Sequence, residues 1–84
     1  MRVFVSTAFL RGARKLKPPR DELLRAALKR FETSPQDPLL RTHKLKGDLA
    51  DYWAFSVDDD LRVLYRWEAE VCFLVGLGTH DEVY

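Results

Sequence analysis

The fold is decided by residues 52–75, YWAFSVDDDLRVLYRWEAEVCFLV, in which three strand-like runs are separated by two polar turns. The middle run, residues 61–67, alternates in character, as a strand with one buried face does. The last run, residues 71–75, is almost wholly apolar, which is typical of a central strand. The acidic residues between the runs favour turns. This stretch therefore predicts three consecutive strands, with Trp53, Phe55, Trp67 and Phe73 in the core.

The first half predicts one strand and two helices. Residues 3–5 are β-prone, and Ser6 or Thr7 is suited to cap a helix. That helix ends at Lys17-Pro18-Pro19, because a residue before proline is driven out of the helical region. A second helix over residues 20–31 places several apolar side chains on one face, namely Leu23, Leu24, Ala27, Leu28 and Phe31. The order β-α-α-β-β-β predicts an α+β fold, a helical hairpin packed on a small, mostly antiparallel sheet.

Length and composition narrow the class of protein. The 84 residues, 46% hydrophobic and 32% charged, predict a single folded domain over residues 1–84. A net charge of +1 is low for a nucleic-acid-binding protein, but the basic residues concentrate in the first half, so one face can still be basic. Cys72 is the single cysteine, which excludes an internal disulfide and fits a cytoplasmic protein. No apolar run approaches the roughly 18 residues of a membrane span, so we expect no membrane partner.

Two histidines are the candidate catalytic residues. His43 lies in the segment His43–Gly47 and His80 in the segment Gly78–Tyr84, where Gly76 and Gly78 are expected to loosen the chain. Imidazole suits acid–base chemistry at neutral pH, so the pair could take a proton from a ribose 2′-OH and give one to a leaving 5′-oxygen. Such a reaction needs no metal and no cofactor, and two histidines alone do not make a zinc site. Each could equally be a surface histidine without chemistry.

An acid and an arginine follow in the same region. Asp60 begins the strand that carries Arg62, so its carboxylate could orient a histidine or an arginine. Arg62 could stabilise the negative charge of a pentacoordinate phosphate, or simply be an exposed strand residue. Asp58 and Asp59 are interpreted as a solvated turn.

Further residues are candidates for RNA contact. Lys44 and Lys46 flank Leu45, a predicted core anchor, and Gly47 lets the backbone turn. The lysines could bind phosphates or be merely solvated. Tyr84 could stack on an unpaired base or be a frayed terminus.

Three segments together resemble a known family. His43–Gly47, Ser56–Tyr65 and Gly78–Tyr84 look like the RelE/ParE toxin superfamily, and most like its YafQ branch, in motif order and spacing. The resemblance implies a toxin of a type II toxin–antitoxin module that enters the ribosomal A site and cuts mRNA without a metal. It implies a cognate antitoxin, the ribosome and mRNA as partners, and no small-molecule ligand. His43, His80 and Asp60 would match catalytic residues, Arg62 a strand arginine, and Tyr84 an mRNA-contacting aromatic.

The sequence departs from the YafQ pattern at two positions. That branch carries a further Asp and His where this chain has Ala54 and Ser56, and serine cannot replace histidine as a base at neutral pH. Two alternatives therefore remain. One is a ParE-like toxin that inhibits gyrase without cutting RNA, against which the two histidines argue. The other is a catalytically silent protein that retains only antitoxin binding.

Overall fold

The computed structural model describes residues 1–79, which form two helices packed on one face of a five-stranded sheet. The elements are β1 (Arg2–Val5), α1 (Thr7–Arg14), α2 (Arg20–Thr33), β2 (His43–Lys44), β3 (Trp53–Ser56), β4 (Leu61–Glu68) and β5 (Val71–Thr79). No helix in this part of the chain is long and apolar enough to cross a membrane.

The sheet has the strand order β1-β5-β4-β3-β2. Strand β1 pairs parallel with β5, and all the other described pairings are antiparallel. The α+β prediction with a helical hairpin on a mostly antiparallel sheet is confirmed. The sequence did not indicate β2, because two residues are too short for a period-two pattern to show.

Helix α1 begins where predicted. The Ser6 hydroxyl oxygen accepts a hydrogen bond from the Phe9 backbone N–H at 3.0 Å and donates to the Val75 carbonyl at 2.9 Å. The cap therefore also ties the helix start to β5. The close approach of α1 to β5 depends on Gly12, since a Cβ there would lie 3.2 Å from the Leu77 carbonyl oxygen.

The core-facing stripe of α2 is narrower than predicted. Leu24, Ala27 and Phe31 are buried and Leu28 is partly buried, but Leu23 is 39% exposed. The prediction for Leu23 was wrong because a small sheet covers only about one residue in three of the helix surface. Phe31 is the main anchor of this stripe.

Three aromatic rings from α2, β3 and β4 form the centre of the core. Phe31 stacks on Phe55 with ring centroids 4.7 Å apart and meets Tyr65 edge-on at 4.9 Å. Such offset and edge-on pairs are the favoured aromatic geometries. Two predicted core aromatics lie elsewhere: Trp67 is 39% exposed, and Phe73 projects from the opposite face of the sheet. Trp67 lies near the exposed end of β4.

Strand β5 continues through both glycines that were expected to loosen it. Gly76 pairs with Leu64 and Gly78 with Arg62, after an irregularity in the β4–β5 ladder between Leu64 and Tyr65. The prediction was wrong because the backbone hydrogen bonds of a central strand outweigh the low strand propensity of glycine.

Candidate functional site

The sheet has one face covered by the helices and one that we call the open face. On β4, Leu61, Val63 and Tyr65 are buried beneath the helices, so the alternate residues Arg62, Leu64 and Arg66 lie on the open face. Cross-strand partners share a face, which places further residues beside them. The cross-strand partners that share the open face with these β4 residues are His43, Ala54, Ser56, Gly76 and Gly78.

His43 begins β2 and is exposed at the end of this face. Its Nδ1 lies 3.1 Å from the backbone carbonyl oxygen of Arg41. If Nδ1 carries the proton, it donates to that carbonyl, and the lone pair is then on Nε2. A fixed Nδ1–H tautomer is the arrangement required of a general base that acts through Nε2.

The turn at Asp58 is built around its carboxylate rather than being merely solvated. Oδ1 accepts hydrogen bonds from the backbone N–H groups of Asp60 and Leu61 at 2.9 and 2.7 Å. Oδ2 accepts from Arg20 Nε at 2.9 Å. Partial burial alone would raise the pKa of Asp58, but the bonds from Leu61, Asp60 and Arg20 outweigh burial and hold the pKa below its usual value of 3.8.

Two more arginines reach the same turn from different elements. Arg62 Nη1 donates to the Asp58 carbonyl at 2.8 Å, and Nη2 donates to the Asp59 carbonyl at 3.0 Å. Arg41 Nη2 lies 3.3 Å from the Asp58 carbonyl and 3.4 Å from Asp59 Oδ1. The guanidinium of Arg62 is therefore held in place beside the candidate site, and its positive charge is only partly offset by carbonyl dipoles.

Asp60 is exposed, and its Oδ2 lies 3.9 Å from Arg20 Nη2. This loose ion pair links the predicted acid to α2. The roles of Arg20 and Arg41 in the site were missed, because ion pairs between distant parts of the chain leave no pattern in the sequence. The role of Asp58 did have a signal, since Asp is favoured where its carboxylate can accept from a backbone N–H two residues later.

The segment after His43 behaves partly as predicted. Leu45 is buried and donates its backbone N–H to the Tyr52 carbonyl at 2.9 Å, and Gly47 adopts a left-handed φ of 66°. Both expectations are confirmed. Lys44 and Lys46 are exposed, but Lys44 pairs with Trp53, which turns it away from the open face. RNA contact by these lysines stays a prediction.

Ser56, at the position of the missing histidine, lies next to Arg62 on β4. It is only 6% exposed, and its hydroxyl has no hydrogen-bond partner among residues 1–79. A buried hydroxyl without a partner costs about 1–3 kcal/mol. Ser56 is thus placed at the candidate site but shielded from solvent.

Two of the predicted site residues, His80 and Tyr84, lie outside the described residues. Among residues 1–79, the structure brings His43, Arg62 and the Asp58–Asp60 turn together at one end of the open face. In the same range, no three His, Cys, Asp or Glu side chains are grouped as metal ligands would be. The arrangement has an acid–base group and a fixed cation, the two elements that phosphodiester chemistry needs.

No family model matches the sequence, and neither does any curated protein. Solved structures do match. YafQ from E. coli BL21(DE3) is 15% identical with a TM-score of 0.82, covering 100% of this chain and 99% of YafQ. An E. coli DinJ–YafQ toxin–antitoxin complex gives 18% identity and a TM-score of 0.69, covering 98% and 94% of the two chains.

Two further toxins have the same architecture. A YoeB/ParE toxin from Agrobacterium tumefaciens is 18% identical, with a TM-score of 0.77 and coverage of 95% and 99%. A metal-bound toxin from Helicobacter pylori is 25% identical, with a TM-score of 0.75 and coverage of 100% and 99%. The chain therefore has, over its whole length, the RelE-like fold of YafQ and the YoeB/ParE-type toxins that its sequence resembles.

Proposed function

We propose that the protein is the toxin of a type II toxin–antitoxin system and cleaves mRNA on the ribosome. The observation that carries the proposal is the full-length match to YafQ, combined with an exposed histidine and a fixed arginine at one end of the open face. The YafQ of the comparison was solved with DinJ as a toxin–antitoxin complex, which supports a cognate antitoxin as partner here.

The proposed reaction is attack of the ribose 2′-OH on the adjacent phosphorus. His43 takes the 2′-OH proton through Nε2, while its Nδ1–H stays on the Arg41 carbonyl. The pentacoordinate phosphorus gains negative charge, which Arg62 stabilises. His80 gives a proton to the leaving 5′-oxygen, and Asp60 tunes the site. The products are a 5′-OH and a 2′,3′-cyclic phosphate, which water can then open to a 3′-phosphate, and the roles of the two histidines could be exchanged.

The ribosome supplies what this small site lacks. Arg62 already donates to three backbone carbonyls, so a limited number of its N–H groups remain for a phosphate. Catalysis then depends on holding the 2′-oxygen, phosphorus and 5′-oxygen in line. A scaffold that holds them so can raise the reaction rate by many orders of magnitude. We expect ribosome-bound mRNA to be cut well and free RNA poorly.

The test compares wild type, His43→Ala and His80→Ala on ribosome-bound mRNA. Cleavage should fall at least a hundredfold in each variant, since acid–base groups typically contribute about 10²–10⁴-fold. Lys29→Ala, a change on an exposed residue of α2, is the control and should cut normally. Full activity in both histidine variants would refute the assignment.

A second arm tests the metal. The protein is stripped with a chelator and desalted before addition, because ribosomes themselves need Mg²⁺. Cleavage should be unchanged, whereas activity that returns only on adding a metal would refute a metal-free reaction. This arm matters because the Helicobacter pylori toxin was solved with metal bound.

The other two candidate functions have distinct outcomes. A ParE-like toxin would inhibit DNA supercoiling by gyrase and leave mRNA intact. A silent homologue would bind the antitoxin but neither cut mRNA nor arrest growth. The observation that favours this candidate is the buried Ser56 hydroxyl, at the position where the YafQ branch carries a histidine.

A further inference from the structure

Beyond the candidate site, four side chains from three strands stack on the open face. Arg2 on β1 lies over the Phe4 ring with its Cζ 5.6 Å from the centroid. Phe4 stacks on Phe73 of β5 with centroids 5.7 Å apart and an interplanar angle of 21°. Arg66 of β4 lies over Phe73 with its Cζ 4.9 Å from the centroid. We call Arg2, Phe4, Phe73 and Arg66 the arginine–phenylalanine row.

The row is not part of the core. The helices cover the opposite face of the sheet, and Phe4 is 48% exposed. Phe4, Phe73 and Arg66 are direct cross-strand neighbours, so the row crosses the sheet towards its β1 edge. Its inner end, Arg66, is four residues along β4 from Arg62, about 13 Å at the usual rise of a strand. The row and the candidate site therefore lie on the same face of the sheet, towards opposite ends of β4.

The chemistry of the row suits single-stranded nucleic acid. A guanidinium held over a ring by cation–π attraction is kept flat on the sheet, with its N–H edge available to a phosphate. Aromatic rings and guanidinium planes are the surfaces on which unpaired bases stack. Glu68 Oε2 lies 2.7 Å from Arg66 Nη1, but Glu68 is exposed and Arg66 only half-buried, and such a surface ion pair is weak enough for a phosphate to replace it.

We propose that the arginine–phenylalanine row binds the RNA strand that extends from the candidate site across the open face. Arg66 and Arg2 contact its phosphates, and the exposed ring of Phe4 contacts a base. The inference rests on the proposed function for the identity of the ligand. The positive charge and exposed rings of the arginine–phenylalanine row favour an anionic, aromatic-rich strand over an apolar helix.

The first experiment maps binding without cleavage. A 2′-O-methylated oligoadenylate long enough to cover the sheet lacks the attacking 2′-OH, so it can be titrated into ¹⁵N-labelled protein and followed by NMR. Backbone amides of Arg2, Phe4, Arg66 and Phe73 should shift together with that of His43. Phe4→Ser and Arg66→Ala should each weaken the affinity at least about fivefold, the low end expected for one stacked base or one charged contact. Melting curves confirm that both variants fold.

The sharper experiment uses two variants with the same change of charge. Glu68→Gln releases Arg66 from its ion pair, whereas Glu70→Gln alters an exposed acid in the same turn that no arginine of the row contacts. Glu68→Gln should raise the affinity for the oligonucleotide about twofold beyond Glu70→Gln. Equal effects would mean that only net charge matters, and would overturn the proposal.

The outcomes separate this inference from the proposed function. Wild type that cuts ribosome-bound mRNA but shows shifts only around His43 would overturn the row alone. Wild type that never cuts mRNA but shifts at the row would refute the proposed reaction and leave the row intact. Row amides that respond to a partner protein encoded beside the gene, and not to the oligonucleotide, would assign the row to that protein and overturn the proposal.

Discussion

Removing the carboxylate of Asp58 should unfold the turn that holds the candidate site. Its Oδ1 accepts from two backbone N–H groups and its Oδ2 from Arg20. Asp58→Asn keeps one oxygen for the backbone and loses the ion pair, while Asp58→Ala loses all three bonds. Comparing the two variants therefore separates the backbone contribution from that of Arg20.

The magnitudes follow from the exposure of the groups. The Arg20 side chain is 40% exposed, so the ion pair is screened and worth at most about 1 kcal/mol. Hydrogen bonds to a charged acceptor contribute about 1.5–3 kcal/mol each, less here because water can reach a surface turn. We expect losses of about 1 kcal/mol for Asp58→Asn and about 2–3 kcal/mol for Asp58→Ala. At about 4–8 °C per kcal/mol, the second variant should melt about 10–20 °C lower.

The pH dependence gives an independent check. The folded pKa of Asp58 lies below its unfolded value of 3.8, so its contribution to stability is complete above that value. The contribution is lost as the pH falls through the folded pKa. Since Asn does not titrate, wild type and Asp58→Asn should differ above pH 4 and converge below it. Thermal melts at neutral and acid pH measure this.

Asp59→Ala is the control. The Asp59 side chain is fully exposed and comes no closer than 3.4 Å to Arg41, so the melting temperature of this variant should not change. An Asp58→Ala variant that melts with wild type at neutral pH would refute the account of the turn.

Three further outcomes are expected. Three exposed basic residues of the first half can be replaced together by Glu, namely Lys15, Lys17 and Arg25. The triple variant should co-sediment less with ribosomes, and the co-sedimentation of wild type should decrease steeply as the salt concentration rises. The melting temperature of the triple variant should stay close to that of wild type. Adding Arg20 to that set should lower the melting temperature, because it breaks the bond to Asp58. Gly12→Ala should melt lower, since contact with the Leu77 carbonyl outweighs the gain of up to about 1 kcal/mol in helix propensity. Ser56→Ala should melt higher, by removing a buried hydroxyl that has no partner in the described part of the chain, and a lower melting temperature would contradict this.

The sequence predicted the fold well where patterns are periodic. The alternation in β4 specifies a buried and an open face, and Ser6 marks the start of α1. The predicted end of α1 was too late, because the helix stops at Arg14, before Lys17-Pro18-Pro19. Sequence patterns failed where tertiary context overrides local preference. Strand β5 runs through Gly76 and Gly78 because β4 pairs with it at both positions, which no local pattern reveals.

The candidate site was predicted in part. Arg62 lies on the open face because the alternation of β4 specifies that face, and Asp60 lies in the turn just before β4. His43 joins the sheet through β2, which no sequence pattern predicted. The positioning arginines were not predicted as such, because Arg20 and Arg41 look like general positive charge until the chain is folded. Phe73 was predicted to lie in the core. Its place in a five-residue apolar run did not determine which face of the strand it would occupy.

The position of His43 depends on Arg41, a residue that no sequence pattern singles out. Arg41 has a left-handed φ of 49°, uncommon for a residue with a Cβ. In that conformation its carbonyl lies at His43 Nδ1, and its guanidinium reaches the Asp58–Asp59 turn, to which Arg62 is also bound. The backbone strain at Arg41 is therefore offset by two sets of contacts, one made by its carbonyl oxygen and one made by its guanidinium. Because the same turn holds Arg20 of α2, the histidine and the arginine of the site are positioned by one network anchored to the helix.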